Sequence, residues 1–216
     1  IDFLKHFVQK KGTNLGPRNK PITTATHIVQ IVKFLTKNMN FKSQMQLDTM
    51  TSEMDVAQKI CNKELNEFFS NVGIFKKILF SEKSNENVTK YRDRSGKDAL
   101  ILKPMPQVAL FKAIHFLKNK MDMDINSIYK ALDRIDFSYP DQTKHQWLYW
   151  VISDAGTITT SGKVESALSR MLVYFVAGEA KCKKLENGEE WLAELFEDYN
   201  FLMGGGEKEL PKPVLK

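Results

Sequence analysis

The chain has 216 residues, of which 42% are hydrophobic and 27% charged, with a formal net charge of +6. That is too apolar for disorder and, at a mean hydropathy of −0.36, too polar for a membrane protein. Charged residues break every apolar run well short of the ~20 residues a bilayer span needs.

From the N-terminus, Ile1, Leu4, Phe7 and Val8 follow the rhythm of an amphipathic helix, with Lys10-Lys11-Gly12 where it should stop. The breaker-rich, cationic stretch Gly12 to Pro21 reads as an exposed connector. Thr23 or Thr24 is placed to cap a second helix running to about Lys37, with Ile28, Ile31, Val32 and Leu35 inward. Residues 38–52 are polar and lack a firm period. A third helix is expected from about Glu53 to Asn71, and Gly73 separates it from the apolar run Ile74 to Phe80. Ser81 to Lys97, dense in Ser, Asn, Lys and Asp, reads as a loop.

Ala99 to Leu102 predicts a short strand or extended lead-in. Pro104 and Pro106 then fall in the first turn of a long helix to about Lys120, where proline's missing N–H costs little. A shorter helix is expected over Ile125 to Ile135, capped by Asp122 or Asp124. The aromatic and β-branched run Trp147 to Ile152, the turn Asp154-Ala155-Gly156 and Thr157 to Thr160 predict a small β-hairpin. Two helices follow, Val164 to Ala177 with Gly178 as its C-terminal cap and Glu189 to Leu202 with acid on its outer face. The expectation is a mainly α fold with a small β-hairpin near residues 147–160. It divides into a basic helical part over 1–80, a helical part with the hairpin over 98–203 and a flexible tail over 204–216.

Several kinds of chemistry fail on spacing. A Walker A loop has four residues between its glycines and Ser or Thr after the lysine, whereas five separate Gly156 from Gly162 and Val164 follows Lys163. His6, His27, His115 and His145 show no ligand spacing, and Cys61 and Cys182 form no CxxC pair, which excludes a disulfide framework and a cysteine zinc site. Asp122 and Asp124, with Asp133 and Asp136 downstream, are the remaining carboxylate candidates for a divalent ion. Ser161 lacks the first glycine of a nucleophile elbow. No catalytic residue, metal or cofactor is therefore expected in this segment. The isolated thiols suit a reducing cytoplasm, and a chain that opens on Ile1 already in helical pattern reads as a piece of something longer.

The charge is uneven. Up to Leu47 there are eight Lys and Arg against the single acid Asp2, whereas the rest of the chain carries a small net negative charge, with Glu186, Glu189, Glu190, Glu194, Glu197 and Asp198 crowded near its end. A basic surface of this kind faces a polyanion, because cations that contact phosphate release its counterions. The expected phosphate contacts are Lys10, Lys11, Arg18 and Lys20, joined by Arg92 and Arg94 of the basic, tyrosine-bearing stretch Tyr91 to Lys97.

The run Asp98-Ala99-Leu100-Ile101-Leu102-Lys103-Pro104-Met105-Pro106-Gln107 resembles the L-R-P-[IV]-G-Q element of bacterial DGQHR-domain proteins, the family of the DNA sulfur modification protein DndB. Ala131 to Phe137 is similar to that family's short helix ahead of a tryptophan. Trp147 to Ile152, Gly156-Thr157-Ile158 and the helix Ala167 to Gly178, with Leu172-Val173-Tyr174, resemble its closing pattern. Lys103 and Pro106 stand where the family has arginine and glycine, and the DGQHR signature itself is absent. The resemblance covers about residues 95–200 and implies the helical C-terminal portion of a cytoplasmic bacterial or phage protein of DNA modification, its regulation or phage defence, with DNA and proteins of a DNA-modification system as partners and no membrane association. The leading expectation is a non-catalytic DNA-associated module. The alternatives are the scaffold half of a ParB-like NTPase or nuclease with its catalytic motif upstream, to which Arg92 or Arg94 lends charge, and a protein interaction scaffold using the acidic last helix.

Overall fold

The computed structural model describes residues 6–12, 15, 20–39, 47–80, 84–92, 98–138, 146–147, 149–153 and 156–216, with the backbone alone for 47–52 and 84–87. The fold is mainly α. Two short strands, β1 (Val8–Gln9) and β2 (Thr23–Thr24), pair in parallel with Val8 opposite Thr23 and Gln9 opposite Thr24. Then come α1 (Ala25–Leu35), α2 (Leu47–Asn71), α3 (Gly73–Leu79), α4 (Ser84–Arg92), α5 (Pro104–Asn119), α6 (Ile125–Arg134), α7 (Gly162–Ala177), α8 (Glu179–Cys182) and α9 (Gly188–Leu202).

α5 is the central element. Every residue from Pro104 to Phe111 is buried, together with Ala113, Ile114 and Leu117, the pattern of a helix enclosed by neighbours on several sides. Its main partner is α7, whose Val164, Ala167, Leu168, Met171 and Leu172 face inward, while α1 and α6 pack beside it. One apolar cluster runs from Phe7 through Phe68, Phe75 and Leu100 to Trp147, Leu168 and Tyr199, so the expected basic and C-terminal parts share a single core.

Several sequence expectations hold at the level of the cap. Thr24 precedes α1 and accepts from the backbone N of His27 at 3.4 Å. Asp124 takes that role for α6, with Ser127 N donating to Oδ2 at 2.8 Å; α7 begins two residues before its expected start and is capped by Ser161, which accepts from Val164 N at 3.2 Å. Gly178 closes α7 with φ 76°, a left-handed conformation that favours glycine.

Other expectations are corrected. Val8–Gln9 is a strand rather than the end of a helix, because a short amphipathic stretch is a weak helix on its own and β2 offers it hydrogen bonds; residues 1–5 lie outside the described residues. α2 begins six residues before the expected start, a polar extension propagated from the packed half of the helix. The expected loop over 81–97 contains α4, which meets the core through Val88 and Arg92, one turn apart; two buried positions are too few to register as a period. Ala99 to Leu102 is apolar because it is buried, not because it is extended: its backbone turns, with Lys103 N donating to Leu100 O. The 147–160 hairpin is shorter than expected. The backbone turns at 146–147 and 149–151, and pairing among the described residues is confined to the antiparallel bridge Ile152 to Ile158 and the flanking bonds Ser153 N to Thr157 O and Thr159 N to Val151 O.

The C-terminal stretch is tied down rather than loose. Asp136 N donates to Val214 O, Lys216 N to Arg134 O and Val214 N to Gln146 Oε1, and the Lys216 ammonium meets Asp98. Backbone partners far away in sequence hold what glycine and proline content alone would release.

Candidate nucleic-acid interface

Lys10 and Lys11 leave β1 immediately after Gln9, which is opposite Thr24, so they emerge beside the N-terminus of α1. Gly12 follows with φ 80° and turns the chain. Lys20 lies just before Pro21 and β2, while Lys33 and Lys37 sit four residues apart at the far end of α1. All five are exposed. The first turn of α1 carries no acid, so the positive end of its backbone dipole is not offset there.

On α5 and α7 the cations are matched to carboxylates. Lys112 meets Glu165 at 2.7 Å, and Lys118 meets Glu67 at 2.9 Å and Glu64 at 3.3 Å. Arg170 meets Glu194 at 2.8 Å, Lys163 meets Asp198 at 3.3 Å and Lys183 meets Glu179 at 2.7 Å. Among the described residues no ion pair engages Lys10, Lys11, Lys20, Lys33 or Lys37. Positive charge is therefore compensated on α5 and α7. The lysines of the β1–β2–α1 segment, like Lys59 and Lys63 of α2, Lys76 and Lys77 of α3 and Lys130 of α6, have no ion pair among the described residues, and the segment differs in having almost no acid nearby in sequence.

The expected phosphate contacts separate accordingly. Lys10, Lys11 and Lys20 share the exposed segment, and Arg18 and Arg94 lie outside the described residues. Arg92 is corrected: it is only 2% exposed, and its Nη2 donates to Pro21 O at 2.5 Å. Burial lowers its pKa to about 10, so it stays charged at neutral pH while facing the interior. The sequence signal for Arg92 was charge density in a polar stretch, which cannot tell which side of a helix such as α4 turns inward.

The other candidate chemistries disperse. Asp133 reaches the N-terminus of α3, its Oδ1 accepting from Gly73 N at 3.2 Å, and Asp136 Oδ1 accepts from Ser138 N. No group of three or more His, Cys, Asp or Glu among the described residues has the arrangement of a metal site. A shallow cleft between α2, α5 and α6 is lined by Glu64, Glu67, His115, Lys118 and Tyr129. Lys118 occupies both carboxylates there. Burial works against its charge, but the bonds to Glu67 and Glu64 outweigh this and raise its pKa. Burial also lowers the pKa of His115, with Glu64 opposing, and raises that of the Tyr129 hydroxyl, which reaches the backbone oxygen of Glu67 at 3.4 Å. The cleft is thus an ion-paired seam joining three helices. The apolar stripe of α9, Leu192, Leu195 and Tyr199, is buried beneath its acidic face, while Phe201 near its end is exposed.

Fold and surface together define a mainly helical protein whose β1–β2–α1 segment carries five exposed lysines with no ion pair among the described residues. No helix among the described residues is long and apolar enough to cross a membrane. No family model, curated protein or solved structure matches the chain.

Proposed function

We propose that this chain is a DNA-associated, non-catalytic module, of the kind the resemblance to DGQHR-domain and DndB-like proteins implies, and that the β1–β2–α1 segment is its phosphate-contacting surface. One observation carries the reading: the exposed lysines of this segment have no carboxylate partner among the described residues and stand in a stretch with a single acid before Leu47, whereas the cations of α5 and α7 are paired. An unpaired surface lysine is matched by solvent and counterions alone, and a phosphate backbone is the polyanion that gains most from replacing them. Lys10, Lys11 and Lys20 position the duplex through its backbone, a contact that carries no base specificity by itself.

The test is binding to labelled duplex DNA across a salt series, beside a variant with Lys10, Lys11 and Lys20 changed to Gln. Binding is expected to weaken steeply with salt, and each lysine removed should reduce the slope of log K against log salt by about 0.9. No binding at low salt, or a slope indifferent to the three lysines, overturns the reading.

A further inference from the structure

Buried polar side chains gather in one part of the core. Of the six among the described residues, five, Thr23, Thr24, His27, Arg92 and Gln107, belong to, or bond to, the stretch Pro21 to His27, and the sixth, Gln146, bonds Asp136 O and Val214 N. Arg92 on α4 donates through Nη2 to Pro21 O, and Gln107 on α5, fully buried, donates through Nε2 to Ile22 O at 2.6 Å. Ile22 N in turn donates to Phe7 O at 2.8 Å, so the same peptide pair links β2 to the residue that precedes β1. Lys103, one turn before Gln107, reaches Leu15 O at 3.4 Å.

The carbonyl of Ile22 lies inside the protein and that of Pro21 is part-buried, next to a segment too short to satisfy them by regular pairing. A buried carbonyl without a donor costs more than an ordinary hydrogen bond contributes. Donors must therefore come from elsewhere, and they come from helices more than 70 residues further along the chain. A guanidinium and an amide serve here because each has donors to offer at the end of a side chain that can extend from a packed helix.

Resting on the nucleic-acid reading above, we propose that Arg92 and Gln107 are positioning residues for that surface: an interior clamp on Pro21–Ile22 that fixes the backbone from which Lys10, Lys11 and Lys20 project. The clamp fixes both sides of the cationic segment, since Ile22 is bonded to Phe7 as well as to Gln107. It contributes to affinity without offering charge to the ligand. Arg92 and Lys10 then differ in kind, one ordering the surface and the other touching phosphate.

The experiment compares the wild-type chain with Arg92→Met, Arg92→Lys and Gln107→Met by amide hydrogen exchange and by duplex-DNA binding across a salt series. Arg92→Met and Gln107→Met are expected to accelerate exchange at Ile22, Thr23 and Thr24 by about tenfold or more, the loss of a buried hydrogen bond, while exchange within α7 stays as in wild type. Duplex affinity should fall with the salt slope unchanged, and Arg92→Lys, which keeps one donor, should recover part of both. A slope lower by about 0.9 in Arg92→Met would make Arg92 a phosphate contact and overturn the proposal, as would unaltered exchange at Ile22 to Thr24. Should Arg92→Met unfold the protein, Gln107→Met, which nearly conserves volume, decides by the same readouts. A wild-type chain that does not bind DNA sinks the nucleic-acid reading and this surface role with it; altered exchange would then leave a structural clamp alone.

Discussion

Arg92 and Lys10 carry the same charge in the sequence and opposite surroundings in the fold. The difference is geometric. Arg92 is one turn from the buried Val88 on α4 and inherits its inward direction, whereas Lys10 follows a two-residue strand and turns to solvent. Close approach makes similar demands on glycines. A Cβ on Gly188 would lie 2.4 Å from Cys182 O and 2.5 Å from Lys183 O, both backbone atoms held in the turn between α8 and α9. Gly188→Ala should therefore destabilise the protein by roughly 1 to 3 kcal/mol, measured as a lower urea midpoint at unchanged m-value. At Gly73 the obstacle at 2.4 Å is the Asp133 carboxylate, which is able to swing aside. The smaller loss expected of Gly73→Ala would come from the broken contact between Asp133 and the Gly73 amide.

At the scale of elements, caps and faces explain most of the helices. α7 starts at Ser161, whose hydroxyl accepts from Val164 N and whose exposed position keeps it out of the packing. Ser161→Ala should then cost about 1 kcal/mol through the lost cap alone, whereas Ser161→Asp should retain the stability, and thermal melts of the two variants check this. α6 has an outer polar face and buries Ile128, Tyr129 and Leu132, and its Asp133 also serves α3. One helix thus caps another across 60 residues of sequence, a role that no local motif announces. The hairpin is held less by its ladder than by its aromatic base. Trp147 stacks on Phe137 at 5.5 Å with rings 8° apart, and Trp147 Nε1 and Gln146 Nε2 share the carbonyl of Asp136.

For the whole molecule, two histidines set an expected pH response. Burial lowers the pKa of both His27 and His115, against opposing fields from Glu165 and Glu64 respectively. Their neutral forms are favoured in the fold, so this contribution to stability is complete above the ordinary value of 6.5 and is lost as pH falls from there towards the lower folded values. The loss is at most about 1.4 kcal/mol per pH unit for each histidine, less for the more exposed His115. Urea unfolding at pH 7.5 and 5.5 should show the fall, and His27→Gln with His115→Gln should reduce it. Asp124, lowered from 3.8, and Lys118, raised from 10.5, titrate outside this window.

The sequence by itself determined the mainly α class, the bounds of α5, α6, α7 and α9 to within a few residues, the cap at Gly178, the narrowing of two N-caps to Thr23 or Thr24 and Asp122 or Asp124, and the concentration of cations before Leu47. These depend on periodicity, on side chains that bond to nearby backbone and on composition, all local properties. Only the tertiary structure decided that Val8–Gln9 pairs with Thr23–Thr24, that the end of the chain is strapped to Arg134–Asp136, and that Arg92 points inward while Lys10, Lys11 and Lys20 point out. Each of those outcomes is a contact between residues distant in sequence, made because buried carbonyls and amides need partners, and their local surroundings do not name which partner will be near.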